Sequence, residues 1–278
     1  LSRLAYDLEN LLSPLLAGLA LLVVSFDALF VATTAGFLVS AAWVLGAAIP
    51  KPRPAERGRS VVANVTFGVR AYLATPRLRG VLALGLAVSA AGAMVIVNSV
   101  VLVRAELGLG ESALALAMAF AGGGSMAAAL SLPRVVDHVA ERTIMLTGAV
   151  LLTAAMAAGA LADPGYAALL ALWFTTGVGL ALVQTPIGRV LRRSSNEADR
   201  PAFFSAQFAL SHASWLLTYP LAGWLASTAG TAAAFAGLGA LAALGGLAAF
   251  VLWPAGDPVE LEHVHPGGEH THLHSHDD

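Results

Sequence analysis

The stretch Gly80–Val103 reads GVLALGLAVSAAGAMVIVNSVVLV, 24 residues without a single charge. An α-helix rises about 1.5 Å per residue, so about 20 apolar residues cross the hydrocarbon core of a bilayer. The stretch therefore predicts a membrane-spanning helix. In the whole chain 58% of residues are hydrophobic and only 12% are charged, unlike a water-soluble domain. The same values exclude an intrinsically disordered chain, which would be charged and poor in apolar residues.

Eight segments of this kind predict an all-α membrane protein with eight transmembrane helices. Each segment is bounded by charged residues, Pro or Gly, which are usual at helix ends. Their many Ala and Gly residues favour close contact between helices in lipid. The predicted spans are Asn10–Phe26, Ala28–Ile49, Gly80–Val103, Ser112–Leu132, Thr143–Ala162, Tyr166–Val190, Phe203–Leu225 and Thr228–Trp253.

Basic residues lie almost entirely on one side of these spans. Fourteen of the 15 Lys and Arg residues fall on the side of both termini, and only Arg104 falls on the other. Because basic loops are retained in the cytoplasm, we expect both termini to be cytoplasmic and the protein to lie in the cell (inner) membrane. We expect the lipid bilayer, and not nucleic acid, as its partner. The absence of cysteine excludes disulfides, thiolate metal ligands and a cysteine nucleophile.

Three stretches carry a local sequence pattern. The first is SPLLAG at Ser13–Gly18, and the second is the loop Pro133–Arg142. The third is Gly68–Arg79, which leads into the third span. Along the chain, two spans are followed by the basic loop Pro50–Ser60, an amphipathic segment and six spans with short loops.

These stretches and their order resemble the major facilitator superfamily from its fifth helix to its C-terminus. SPLLAG is similar to the antiporter motif of the fifth helix, and the loop is similar to the motif between helices eight and nine. The resemblance implies a truncated twelve-helix fold whose two halves rock around a central site, with the first four helices missing from this fragment. It implies an efflux permease rather than an enzyme, with a proton as coupling ion and no required cofactor. The gating and motif residues that it implies are Ser13, Pro14, Gly18, Asp137 and Arg142.

The resemblance divides the chain into four regions. Residues 1–49 would be the last two helices of the N-terminal half, and residues 50–79 a cytoplasmic basic loop with an amphipathic helix. Residues 80–253 would be the six-helix C-terminal half, followed by a histidine-rich cytoplasmic tail at 254–278.

Polar side chains repeat at helical spacing on the seventh predicted span. Intervals of four, three and four residues place them on one helix face. This stripe predicts either a wall of the substrate cavity or a seam hydrogen-bonded to a neighbouring helix. A histidine beside it can change charge near neutral pH and so carry a coupling proton. The residues predicted to line the cavity are Gln207, Ser211, His212, Ser214, Trp215 and Thr218, with Asn98 and Gln184 on other spans.

The C-terminal tail contains six histidines among acidic residues, without Lys or Arg. Imidazole and carboxylate ligands suit Ni²⁺, Co²⁺, Zn²⁺ or Cu²⁺. Facilitator-type permeases with such a tail resemble nickel-resistance exporters, which implies export of a divalent transition metal such as nickel or cobalt. The alternatives are a proton-coupled exporter of small organic compounds or drugs with a metal-buffering tail, and a tail that is merely solvated; the irregular spacing argues against a purification tag. The predicted ligands are His263, His265, His270, His272, His274 and His276.

Two further features bear on function. Gly123-Gly124-Ser125 has the Gly-x-Ser form of an intramembrane serine hydrolase, with His212 as its base. A glycine-rich stretch in an alanine-rich helix is more commonly a packing device, so we expect no catalysis. Pro186 lies within a predicted span and predicts a kink, because it removes one backbone hydrogen bond.

Overall fold

The computed structural model describes residues 16, 20, 24–47, 61–162 and 164–256. Within these residues every regular element is a helix. A π-helical segment, Val101–Glu106, directly continues the third of them. The helices are α1 (Phe26–Gly46), α2 (Val61–Ala74), α3 (Pro76–Val100), α4 (Glu111–Val135), α5 (Glu141–Ala162), α6 (Tyr166–Gln184), α7 (Ile187–Arg193), α8 (Arg200–Ala229) and α9 (Thr231–Leu252).

Six helical stretches among the described residues are long and apolar enough to cross a membrane, and each overlaps a predicted span. They are Asp27–Gly46, Pro76–Glu106, Glu111–Val135, Glu141–Ala162, Tyr166–Arg193 and Thr231–Leu252. The prediction of eight spans is therefore not confirmed in number. Helix α8 covers a seventh and has 30 residues, but its polar side chains, Gln207 and His212 above all, leave it less hydrophobic. The predicted span Asn10–Phe26 lies almost entirely outside the described residues.

The helix boundaries have local causes. Pro76 opens α3 in its first turn, where the missing N–H would have had no helical partner. Pro186 separates α6 from α7, as the sequence predicted. Gly230 takes φ +87° between α8 and α9, a backbone conformation that favours glycine. These breaks produce long antiparallel helices with short connections.

Helices α3 to α9 form an inverted repeat of two three-helix units, in which α7 counts as the continuation of α6. Helix α4 packs on α6 as α8 packs on α3, and α5 packs on α6 as α9 packs on α3. Helices α5 and α9 also pack against each other, as do α3 and α6. Exchanging α3 with α6, α4 with α8 and α5 with α9 therefore reproduces these helix contacts, with the chain direction reversed. The contact between α8 and α9 is not matched by one of similar extent between α4 and α5. Inverted repeats of three helices build each half of many transporters.

The two ends of this bundle differ in the residues located there. We call the end that holds Arg77, Arg134, Arg142 and Arg193 the basic end. At the opposite end, Glu106 closes the π-helical segment and accepts hydrogen bonds from the Thr231 hydroxyl at 2.8 and 3.1 Å. The start of α9 is thereby fastened to the end of α3.

Candidate functional site

Helix α8 carries most of the predicted polar stripe on the face that packs against α3 and α2. Thr218 is fully buried, and its hydroxyl donates to the Ser89 carbonyl oxygen of α3 at 3.1 Å. Gln207 accepts a hydrogen bond from the Tyr72 hydroxyl of α2. Ser214 is half-buried and donates to a carbonyl of its own helix at 3.4 Å. Thr218 and Gln207 thus form interhelical contacts, and a role of the stripe in lining a cavity stays a prediction.

Helix α2 is docked on the basic end of α8. A side-chain carbon at Gly68 would lie 2.6 Å from the Ala202 carbonyl oxygen, so only glycine allows this approach. Tyr72 is fully buried, and burial raises the pKa of its phenol above the ordinary value. The phenol therefore stays protonated and able to donate to Gln207 throughout the physiological pH range.

His212 lies on the exposed face of α8, away from these contacts. Its Nδ1 is 2.7 Å from the Phe208 carbonyl oxygen, and the two rings stack with centroids 3.9 Å apart. The neighbouring Ser211 hydroxyl donates to the same carbonyl at 3.0 Å. When Nδ1 donates to this carbonyl, Nε2 is the ring nitrogen that can accept a hydrogen bond.

Trp215 is wedged between α8 and α3. A side-chain carbon at Gly92 would overlap the Trp215 indole ring, so the glycine makes room for it. The ring also contacts that of Tyr219, with centroids 5.1 Å apart. Trp215 therefore fills the seam between the two helices, and its role in lining a cavity stays a prediction.

Asn98 and Ser99 connect α3 to two other helices. The Asn98 amide donates to the Ala222 carbonyl oxygen of α8 at 3.3 Å, and the Ser99 hydroxyl accepts from Trp173 Nε1 of α6 at 2.8 Å. Asn98 Oδ1 is buried without a hydrogen-bond partner in the described part of the chain. A buried acceptor of this kind requires a donor, which a substrate or water can supply.

The two central helices are interrupted next to predicted site residues. The π-helical segment begins three residues after Asn98. Gln184 is the last residue of α6, directly before the Thr185-Pro186 break. Single π turns and helix breaks in membrane proteins are characteristic of functional sites. Asn98 and Gln184 therefore occupy comparable positions in the two halves of the inverted repeat.

A buried carboxylate at the basic end forms ion pairs with two arginines. Glu141 at the start of α5 has a side chain only 8% exposed. Its Oε1 lies 3.1 Å from Arg189 Nε, and its Oε2 lies 3.2 Å from an Arg193 guanidinium nitrogen. Sequence reasoning missed this cluster, although Glu141 lies in the quoted loop stretch and the two arginines are four residues apart on one helix.

The two predicted gating residues of this loop have separate partners. Asp137 is 66% exposed, with one carboxylate oxygen 3.9 Å from Arg189. Arg142 donates from Nε to the Trp253 carbonyl oxygen at 2.8 Å and from a terminal nitrogen to that of Phe250 at 2.9 Å. Its guanidinium also lies 5.0 Å from the centre of the Phe250 ring. Arg142 therefore fastens the end of α9 to α5.

Other predicted site residues lie outside the described residues. These are the first pattern's Ser13, Pro14 and Gly18, and the tail histidines His263, His265, His270, His272, His274 and His276. Among residues 24–47, 61–162 and 164–256, no group of three His, Asp or Glu side chains is arranged to hold a metal ion.

The serine of the Gly-x-Ser stretch is a packing residue. Ser125 is buried where α4 meets α6, and its backbone nitrogen would lie 2.8 Å from a side-chain carbon at Gly177. His212, the base considered for it, is on the exposed face of α8. Ser125 is therefore buried between helices, whereas His212 is exposed on another helix.

The architecture defines a multi-pass helical membrane protein with the inverted repeat and interrupted central helices of a secondary transporter. The family model described as Major Facilitator Superfamily matches residues 82–274. The chain belongs to this superfamily, whose members are transporters of small molecules rather than enzymes. No curated protein matches the chain.

Proposed function

We propose that the protein works by alternating access, with the basic end facing the cytoplasm and the substrate site around α3, α6 and α8. The observation that carries this proposal is the position of two polar residues. Asn98 lies next to the interruption of α3, and Gln184 lies next to that of α6. Interrupted helices expose backbone groups and allow half-helices to move, and they line the binding sites of many secondary transporters. The unsatisfied Asn98 Oδ1 supplies a specific acceptor there.

As cargo we propose a divalent transition metal, nickel, cobalt or zinc, exported from the cytoplasm. The support is the six-histidine tail, whose nitrogen ligands suit these ions. In this proposal the tail collects the ion on the cytoplasmic side. A tail that buffers metal for an exporter of small organic compounds is the second candidate, because the described residues at Asn98 and Gln184 offer neutral amides and not charged ligands.

Metal tolerance of cells tests the cargo. Cells expressing the gene with its whole coding sequence should grow at higher nickel, cobalt or zinc concentrations than cells lacking it. Removal of His263–Asp278 should reduce that tolerance, and Asn98→Ala should abolish it at unchanged abundance in the membrane. Protection by neither the intact gene nor its tail-deleted form against any of the three metals would contradict metal export and favour the organic substrate.

Proton coupling is proposed to run through His212. In inverted membrane vesicles, His212→Gln should flatten the pH dependence of transport, because a glutamine side chain cannot carry the coupling proton. Ser205→Ala on the same exposed face is the matched control and should keep the parent profile. An unchanged profile in His212→Gln would remove His212 from the coupling mechanism.

A further inference from the structure

A groove of about 180 Å³ opens on the bundle surface at the basic ends of α4 and α5. Two of its three hydroxyl groups are used internally: Ser131 donates to carbonyl oxygens of α4 at 2.8 and 3.0 Å, and Thr147 donates to one of α5 at 2.9 Å. The groove therefore presents mainly carbon to an occupant. Apolar side chains form most of its wall: Leu132, Val135, Val139, Ile144 and Leu182.

Two polar side chains, those of Arg134 and His138, flank this groove. Arg134 lies in the last turn of α4, between the groove residues Ser131 and Val135. His138 follows one turn later, in a segment that stays hydrogen-bonded as far as the Val139 N–H, which donates to the Val135 carbonyl oxygen at 2.9 Å. Both side chains are exposed, and neither is hydrogen-bonded or ion-paired in the part of the chain that the structure describes.

The acidic residues nearest to Arg134 and His138 in sequence interact with other residues. Asp137 faces Arg189 of α7. Glu141 is enclosed by Arg189 and Arg193. The positive charge at the edge of the groove is therefore not neutralised by the carboxylates nearest to it in sequence.

We propose that this groove binds one acyl chain of an anionic phospholipid, whose headgroup phosphate pairs with Arg134 and His138. The groove lies between two membrane-spanning helices, so lipid is the medium that it meets. Basic sites between transmembrane helices bind anionic headgroups. A peptide fits less well, because its backbone groups need several partners and two of the three groove hydroxyls are already engaged.

A fluorophore on a single introduced cysteine can test this lipid site, because the chain has no cysteine of its own. Ala140→Cys places the fluorophore at the groove edge, and Leu247→Cys places one on the exposed face of α9 as a control. The labelled protein would be placed in phosphatidylcholine nanodiscs containing a minor fraction of either brominated phosphatidylglycerol or brominated phosphatidylcholine. We expect the anionic lipid to quench the groove-edge fluorophore about fivefold more strongly than the neutral lipid does, and both lipids to quench the control fluorophore equally.

Adding Arg134→Gln should bring the two lipids close to equal quenching of the groove-edge fluorophore. Arg192→Gln, an exposed arginine of α7, is the matched control and should preserve the anionic preference. Equal quenching in the parent, a preference that survives Arg134→Gln, or negligible quenching by both lipids because protein covers the groove would each overturn the proposal. The readout needs no transport, so it is independent of whether the proposed cargo is correct.

Discussion

The two equivalent helix seams of the inverted repeat are held together in different ways. Between α4 and α6 the backbones touch. A side-chain carbon at Gly124 would overlap the Phe174 carbonyl, and one at Gly177 would overlap the Ala121 carbonyl. Small residues allow this approach in membranes, where helices gain stability from packing rather than from exclusion of water.

Between α3 and α8 side chains fill the gap. The Trp215 ring lies on Gly92, and hydrogen bonds run from Thr218 and Asn98 to backbone carbonyls across the seam. Backbone contacts cannot shift without overlap, whereas a ring can tilt and a hydroxyl can change its acceptor. We therefore expect the α4–α6 seam to move as a rigid unit and the α3–α8 seam to absorb conformational change.

The largest expected effect comes from placing a methyl group in the α4–α6 seam. Gly177→Ala should lower the free energy of unfolding by about 3 kcal/mol, because neither backbone can give way. Thermal unfolding of the detergent-purified protein, followed by loss of monodisperse material, measures the change. The loss should appear although alanine favours a helix over glycine by about 1 kcal/mol.

Gly85→Ala on α3 is the matched control for this substitution. No heavy atom lies within 4 Å of a side-chain carbon at Gly85, so helix propensity acts alone there and stability should stay equal or rise. If Gly177→Ala were as stable as Gly85→Ala, the rigid-seam interpretation would be wrong.

The next effect concerns the ion pairs that join α5 to α7 at the basic end. Glu141→Gln should cost about 2 kcal/mol, less than for a fully buried pair because Arg189 is partly exposed. The same thermal assay applies. Asp137→Asn removes a carboxylate of the same loop that is largely exposed, and it should change stability by less than about 1 kcal/mol. Equal losses in the two variants would show that burial of Glu141 has no special role.

The transmembrane character of most of these helices could be predicted from sequence, because about 20 apolar residues in a row have few other solutions. The polar side chains of α8 could also be predicted from the sequence, but the face of α8 that packs against other helices could not. Serine, histidine and tryptophan occur both in helix seams and in cavity walls. Trp215 packs into the seam because Gly92, on a separate helix, leaves room for its ring.

Other features depend on contacts distant in sequence. Glu141 and Arg193 are 52 positions apart, and no local pattern in either stretch marks the other. The π-helical turn at Val101–Glu106 has a sequence that equally suits an α-helix, and its outer end is fixed by Thr231 of α9. Such features arise from tertiary packing, which a single amino-acid sequence does not display.

A smaller effect is expected in the α3–α8 seam, where a clash can be relieved. Gly92→Ala should cost about 1 kcal/mol, because the Trp215 ring can tilt away. The double variant Gly92→Ala/Trp215→Phe should be more stable than the sum of the single changes, with a coupling of at least about 0.5 kcal/mol in the thermal assay. Strict additivity would mean that the ring and the glycine do not compete for space, and the contrast with Gly177 would lose its basis.

The smallest expected effect tests whether Thr218 belongs to a helix seam or to a cavity wall. Thr218→Val keeps the shape of the side chain but removes the hydrogen bond to the Ser89 carbonyl, which should cost about 0.6 kcal/mol, the average for such bonds between membrane helices. Thr218→Ser retains the hydroxyl and should recover most of that stability. Because Thr218 is fully buried between helices, transport by Thr218→Val should keep the parent KM at temperatures where the protein is folded. A raised KM with unchanged thermal stability would instead place this hydroxyl in contact with substrate during the transport cycle, and the α3–α8 seam would then have to open that far.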